Sequence, residues 1–237
     1  IGDVMHQYTE SPTSPFTVGS SGLNQTWDFS GVGTSTSSLL FVDPIGSPYE
    51  LQYPNANLCL QDGGTYSYYN KTPTGLFLHG LGDTVFNSPA LYLPLPLTYG
   101  LDTSDGPIIV IEEVISGSFL TSYIPDSLVS VLTSGTANRA EQALIKLTNF
   151  TDFLVDASGN MTTDLGTFDV LRLKTTTYIE SELDVLCEDT LTGQTLWVTN
   201  IPFSTIPALA SFSNNGIDYK YQWITDDNSV SFLICEA

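Results

Sequence analysis

The run Asp169–Leu186 constrains this chain more than any other stretch. Odd positions Leu171, Leu173, Ile179, Leu183 and Val185 are apolar, while even positions Arg172, Lys174, Thr176, Tyr178, Glu180, Glu182 and Asp184 are polar or amphipathic. Period-two alternation marks a strand with one face in a core and the other in water. The run is far longer than the usual strand of ~5–6 residues, which predicts a long bent strand or two collinear ones. Such a strand needs long partners. Gln194–Thr199 can return antiparallel after a turn at Glu188–Gly193. Tyr219–Trp223 alternates again, turns at Asp226-Asp227-Asn228, and closes a C-terminal hairpin with Ser229–Cys235.

Elsewhere, 19 Gly and 13 Pro fall between short runs rich in Val, Ile, Thr, Tyr and Phe, as in β proteins. Tyr66–Tyr69, Leu76–Leu78, Leu91–Leu97 and Ile108–Ile115 read as strands. Pro94 and Pro96 remove ladder donors, which makes Leu91–Leu97 an edge strand or a connector. Asp102-Thr103-Ser104-Asp105-Gly106 has the composition of a turn. Trp27-Asp28-Phe29 interrupts a Ser/Thr/Gly-rich N-terminal stretch and is expected to pin the first strand on the core. One segment has helical spacing: Ala140, Ala143, Leu144 and Leu147 follow Asn138, with Glu141 placed for a capping box. The expected fold is all-β, a single domain over 1–237 with a weak seam near 100–107. It is an antiparallel β-sandwich with long strands. The alternative is a curved half-barrel sheet with one short helix, from Asn138, in its concavity.

Charge narrows the function classes. The chain carries 26 Asp+Glu but only 6 Lys+Arg, a formal net charge of −20. The acid content is ordinary; base is what is missing. Nucleic acid and anionic membrane surfaces are excluded as partners, since both need clustered Lys/Arg. Mean hydropathy is slightly positive, unlike a disordered acidic tail. No apolar run reaches the ~18 residues of a transmembrane segment. The first residue is Ile1 rather than Met, so an initiator or leader segment is expected either to have been removed or to lie outside this sequence. Cys59, Cys187 and Cys235 leave at least one thiol unpaired; a Cys187–Cys235 bridge and three buried thiols both fit.

Catalytic motifs are sparse. There is no Gly-x-Ser-x-Gly elbow, no Gly-rich phosphate loop and no Cys/His zinc spacing, and only His6 and His79 could act as imidazole bases. No catalytic, cofactor or metal residues are assigned. Glu180, Glu182 and Asp184 project from one strand face, where a glycosidase would need two converging acids; here they read as a solvated ladder. Asp102/Asp105 and Asp226/Asp227/Asn228 could supply oxygens to calcium, although turn chemistry explains both. Aromatic rows are the better clue. Tyr66, Tyr68 and Tyr69, and Tyr219, Tyr221 and Trp223, could stack on sugar rings if exposed, or fill a core if not.

Four fragments in order, Gly22-Leu23-Asn24-Gln25-Thr26-Trp27-Asp28-Phe29-Ser30, Leu95-Pro96-Leu97-Thr98-Tyr99-Gly100, Gly166–Lys174 and Tyr221-Gln222-Trp223, resemble the uncharacterised all-β secreted domain of Bacteroidota type IX secretion cargo proteins. The chain departs from that pattern at Asp226–Leu233, which lacks the usual Pro, and at Tyr123–Leu147. The resemblance implies a signal peptide, the secretion machinery as a partner, and an extracellular or outer-surface location; since such cargo carries a separate C-terminal sorting domain, this chain would be a cargo fragment or a product trimmed of it. It implies no reaction. It also implies O-glycosylation at Asp-Ser/Thr-aliphatic triplets, here at Thr84, Ser127 and Thr190.

Together these features predict a secreted or cell-surface, non-enzymatic structural or adhesion module that self-assembles as a homo-oligomer or meets surface glycans. The alternatives are a carbohydrate-binding module using Tyr66, Tyr68, Tyr219, Tyr221 and Trp223, and a carboxylate-based glycan hydrolase.

Overall fold

The computed structural model describes residues 4–9, 17–30, 35–163, 166–210, 217–226 and 231–236. The chain is all-β and sandwich-like, with two open sheets. In chain order the strands are β1 (Val4–Thr9), β2 (Gly22–Asp28), β3 (Ser35–Val42), β4 (Leu58–Asp62), β5 (Thr65–Thr72), β6 (Gly75–Leu81), β7 (Thr84–Pro94) and β8 (Asp102–Ser116). Two short helices follow, α1 (Ser118–Tyr123) and α2 (Asp126–Leu132). Then come β9 (Arg139–Thr163), β10 (Gly166–Asp189), β11 (Gln194–Pro202), β12 (Ile217–Ile224) and β13 (Ser231–Glu236). One sheet has the order β1-β3-β4-β5-β6-β7. The other has the order β13-β12-β10-β9-β2, with β11 paired to β10 and β8 to β9.

The residues form two compact units, and the sequence seam at 100–107 contains the first crossing between them. One unit comprises Ile1–Asp105, Thr151–Thr177 and Asp218–Ala237; the other comprises Gly106–Phe150 and Tyr178–Ile217.

The first unit holds the whole six-stranded sheet, an antiparallel ladder throughout. Its hairpins turn at Gly63 and Gly82, whose left-handed φ of 57° and 56° a residue with a Cβ adopts poorly. Tyr53 stacks on Tyr68 at 4.0 Å, and its hydroxyl donates to the carbonyls of Gly82 and Thr84. Gly80 lies directly beneath that ring, where a Cβ would sit 2.5 Å from the Tyr53 hydroxyl. Leu91 and Leu93 of β7 pack against Phe153, Val155 and Leu173, bringing the two sheets face to face within this unit. A second cluster joins Trp27, Phe29 and Trp223 edge to face, with Met161, Ala157 and Val170. Trp27-Asp28-Phe29 thus does pin its strand on the core. That strand, β2, pairs parallel with β9. The approach is so close that a Cβ on Gly159 would lie 1.9 Å from the Gln25 carbonyl.

The second unit has one large core. Leu120 of α1, Ile124 just after it and Val129 of α2 bury against Ala143, Leu183, Val185, Cys187 and Ile201, with Phe203 and Ile206 beside them. Each of the Leu, Ile, Val and Phe side chains contributes about 1.5–3 kcal/mol on burial. Pro125 precedes α2 at φ −70° and Asp126 occupies its first turn, a favourable start beside the helix dipole. Thr133 closes the element by donating to Val129 O and accepting from the Ala137 amide.

Three expectations change. The segment from Asn138 is the start of β9, not a helix. Ala140 and Ala143 share one core cluster although three residues apart, and a strand does this only through a local break in alternation. Asp102–Gly106 belongs to β8 rather than to a turn. The Asp169–Leu186 run is one continuous strand, but it is not half solvated: Arg172 and Asp184, on the face assigned to water, are both buried.

Candidate functional site

The aromatic platform expected from sequence does not form from the predicted residues. Tyr68 and Trp223 are both 0% exposed, so neither reaches a ligand. Tyr66 packs against the Tyr53–Cys59–Tyr68 cluster, and Tyr69, also buried, sits edge-on to Tyr92. Tyr219 and Tyr221 are half-buried, and each has a cation over its ring. Lys174 Nζ stands 4.8 Å from the Tyr219 centroid and the Arg172 guanidinium 5.3 Å from that of Tyr221.

Arg172, at 1% exposure, is a structural clamp. Its Nε and Nη2 donate to the two carboxylate oxygens of Asp156 at 2.8 and 2.9 Å. Its Nη1 and Nη2 reach the carbonyls of Val18, Gly19 and Ser20, and Trp27 Nε1 donates to the same Val18 carbonyl at 2.9 Å. The fork therefore fixes the segment that leads into β2.

The acids do not gather. Glu180 is exposed and Glu182 half-buried, while Asp184, 7% exposed, pairs with Lys146 and accepts the Asn200 amide at 2.8 Å. Asp184 is therefore not part of a solvated ladder. Its partner Asn200 has φ 57° and lies where β11 carries an extra residue against β10. The carboxylate thus caps a bulge. Asp105 accepts the Leu91 amide and covers part of the β7 edge. Among the described residues no three His, Cys, Asp or Glu side chains come together as a metal site. Asp227 and Asn228 lie outside the described residues, as do the side chains of His6 and Cys235. His79 is half-buried on β6, where desolvation pushes its pKa down. Cys59 and Cys187 are buried free thiols, so Cys187 is not bridged to Cys235. Thr84, Ser127 and Thr190 are all exposed, and Thr190 Oγ1 accepts a bond from Asn138.

The surface feature that sequence reasoning missed is in the second unit. Leu196 and Val198 of β11 turn into the core, and Trp197 between them faces outward at 47% exposure. The signal was the alternation within Thr195–Thr199, obscured by three consecutive apolar residues. Trp197 stands opposite Leu186 of β10. By alternation Asp184 and Glu188 share that face on either side of Leu186. This unit contains nine acids and only two bases, Arg139 and Lys146. Both bases pair with these two flanking acids: Arg139 with Glu188 at 2.6 Å, and Lys146 with Asp184. The exposed indole thus lies between two neutralised ion pairs on an otherwise acidic unit. Val114, 55% exposed, adds apolar surface to the same unit.

Across the chain, Arg139, Lys146 and Arg172 are in ion pairs, and Lys174 and Lys220 lie over Tyr219 and Tyr92. Comparison of the chain with protein-family models, curated proteins and solved structures finds no match.

Proposed function

We propose that the chain is a non-enzymatic structural or adhesive module of a secreted or cell-surface protein, making its contacts through exposed apolar and hydroxyl-bearing strands. The observation that carries this reading is the engagement of its bases. Five of the six already have internal partners, so the surface offers few free cations beside its acids, hydroxyls and scattered apolar groups. Net charge of that kind favours solubility outside the cell, and contacts with other molecules fall to neutral groups. The outward Trp197 on β11 is the largest such group. The resemblance to type IX secretion cargo supports an extracellular location and the secretion machinery as an export partner. The hydrolase reading has less support, because its candidate acids are either exposed or engaged with Lys146 and Asn200.

The test is attachment and mass in solution. The chain should associate with itself on raising its concentration, or bind cell surfaces in a pull-down. A strict monomer at high concentration that adheres to no cell, glycan or partner surface would overturn the proposal.

A further inference from the structure

We infer that Trp197 and the β11 face around it form a binding platform for an uncharged, hydroxyl-bearing glycan. The inference rests on the adhesive reading and names its ligand class. Four observations converge on this residue.

Trp27 and Trp223 lie in a core cluster at 6% and 0% exposure, whereas Trp197 is 47% exposed. Indoles, like Tyr rings and Arg, are enriched at binding hot spots. Among the described residues Trp197 makes no hydrogen bond or ring contact, so its N–H and ring face remain available to a ligand. Second, Thr195, two residues before it, is exposed on the same face by alternation, and Thr199 is exposed where the bulge begins. They place hydroxyls beside the ring, and a sugar needs both an apolar face to stack on and hydrogen-bonding groups around it.

Third, the flanking charges are fixed. Glu188 is held by Arg139, and Asp184 by Lys146 and the Asn200 amide. Side chains already locked in pairs lose little further freedom when a ligand hydroxyl joins them. Fourth, charge selects the ligand class. A net −20 repels anionic polymers. A cation would favour acids that lack a base partner, and the two beside Trp197 already have one. An uncharged ligand is the one this patch accepts without penalty.

The experiment measures binding of the whole chain to three uncharged glycans (a β-1,4-glucan oligosaccharide, a mannan and a galactan), with heparin and oligolysine as charged probes. Tryptophan emission and acrylamide quenching report the one exposed indole. Trp197→Ala and Trp197→Phe are compared with the parent, and their urea midpoints establish that they fold. The expected result is binding of at least one uncharged glycan, with a blue shift and reduced quenching. Trp197→Ala should weaken it at least tenfold, and Trp197→Phe should retain part of it. The affinity should change little between about 50 and about 500 mM salt, because no charge is neutralised. The inference is overturned if no uncharged glycan binds, if Trp197→Ala binds like the parent, or if oligolysine competes at low salt. It is also overturned if Trp197→Ala abolishes only self-association. Cell attachment that survives in Trp197→Ala would leave the adhesive reading standing while removing the glycan platform. A strict monomer that attaches to no cell and binds none of the three glycans would overturn both readings.

Discussion

Arg172 holds both carboxylate oxygens of Asp156, with Nε and Nη2 at 2.8 and 2.9 Å, and uses its other N–H groups on three consecutive carbonyls, Val18 to Ser20. A planar fork with five donors can do this; a point-charge ammonium cannot. The pair therefore ties β9, β10 and the segment before β2 into one hydrogen-bonded unit.

Replacing Arg172 by Lys should lower stability by about 3 kcal/mol, because Asp156 keeps its charge in a part-buried site and the carbonyls lose their donors. Urea denaturation measures this directly. Arg172→Lys within about 0.5 kcal/mol of the parent would show that surface-like screening governs the pair.

Lys146 and Asp184 form the corresponding pair in the other unit, and the asymmetry of breaking it is testable. Lys146→Met should destabilise by about 2 kcal/mol by leaving the buried carboxylate without its cation. Adding Asp184→Asn should recover part of that loss, since the amide oxygen can still accept the Asn200 amide and carries no charge. A double variant no better than Lys146→Met would mean that the carboxylate serves the bulge and not the lysine.

Gly80 tests the tyrosine packed over the β6–β7 hairpin. A Cβ there would lie 2.2 Å from the Thr84 carbonyl and 2.5 Å from the Tyr53 hydroxyl. Gly80→Ala should therefore cost about 1–3 kcal/mol through overpacking. Gly64→Ala, with no atom within 4 Å of the added Cβ, is the control and should be close to neutral. Thermal unfolding of the two variants separates them.

Alkaline pH should weaken the fold through its buried thiols and phenols, the surface acids being ionised already. Burial pushes the Cys59 thiol up to about 11 and the Tyr53 hydroxyl up to about 12. In the unfolded chain these groups ionise near their ordinary values of 9.0 and 10.0, so the unfolded state releases protons first. Stability is then complete below pH 9 and falls as pH rises through 9 to 12. Urea midpoints measured across that interval should decline. Cys59→Ala should remove only part of the decline that begins at pH 9, because burial also raises the pKa of the Cys187 thiol.

Much of the β framework was legible because the chain repeats one simple signal. Leu173, Leu183 and Val185 are inward as alternation requires, and Leu196 and Val198 follow the same rule on the neighbouring strand. Arg172 and Asp184 were misplaced for one physical reason. Alternation reveals which face is apolar, but it does not reveal that a polar face can also be covered when each charge finds a partner from a distant segment. The Asn138 helix failed differently. Ala140 and Ala143 sit three apart in one cluster, and a break in strand alternation imitates helical spacing. The true helices carried their own signal, Leu120 with Ile124 and then Pro125-Asp126 before Val129, in a stretch that the neighbouring β pattern overshadowed. Tyr68 and Trp223 show the limit for function. An aromatic row on a strand looks the same in sequence whether it faces ligand or core, and only packing separates Trp197 from Trp223.

The engagement of the basic side chains has a consequence for resistance to proteolysis. Proteases that cut after Lys or Arg need an exposed basic residue on a segment they can draw out. Here Arg172 is buried, and the exposed pair, Lys71 and Arg139, lie within strands β5 and β9, each flanked by other strands. The folded chain offers such enzymes no loose bait, so its lifetime among them is set by how often it unfolds.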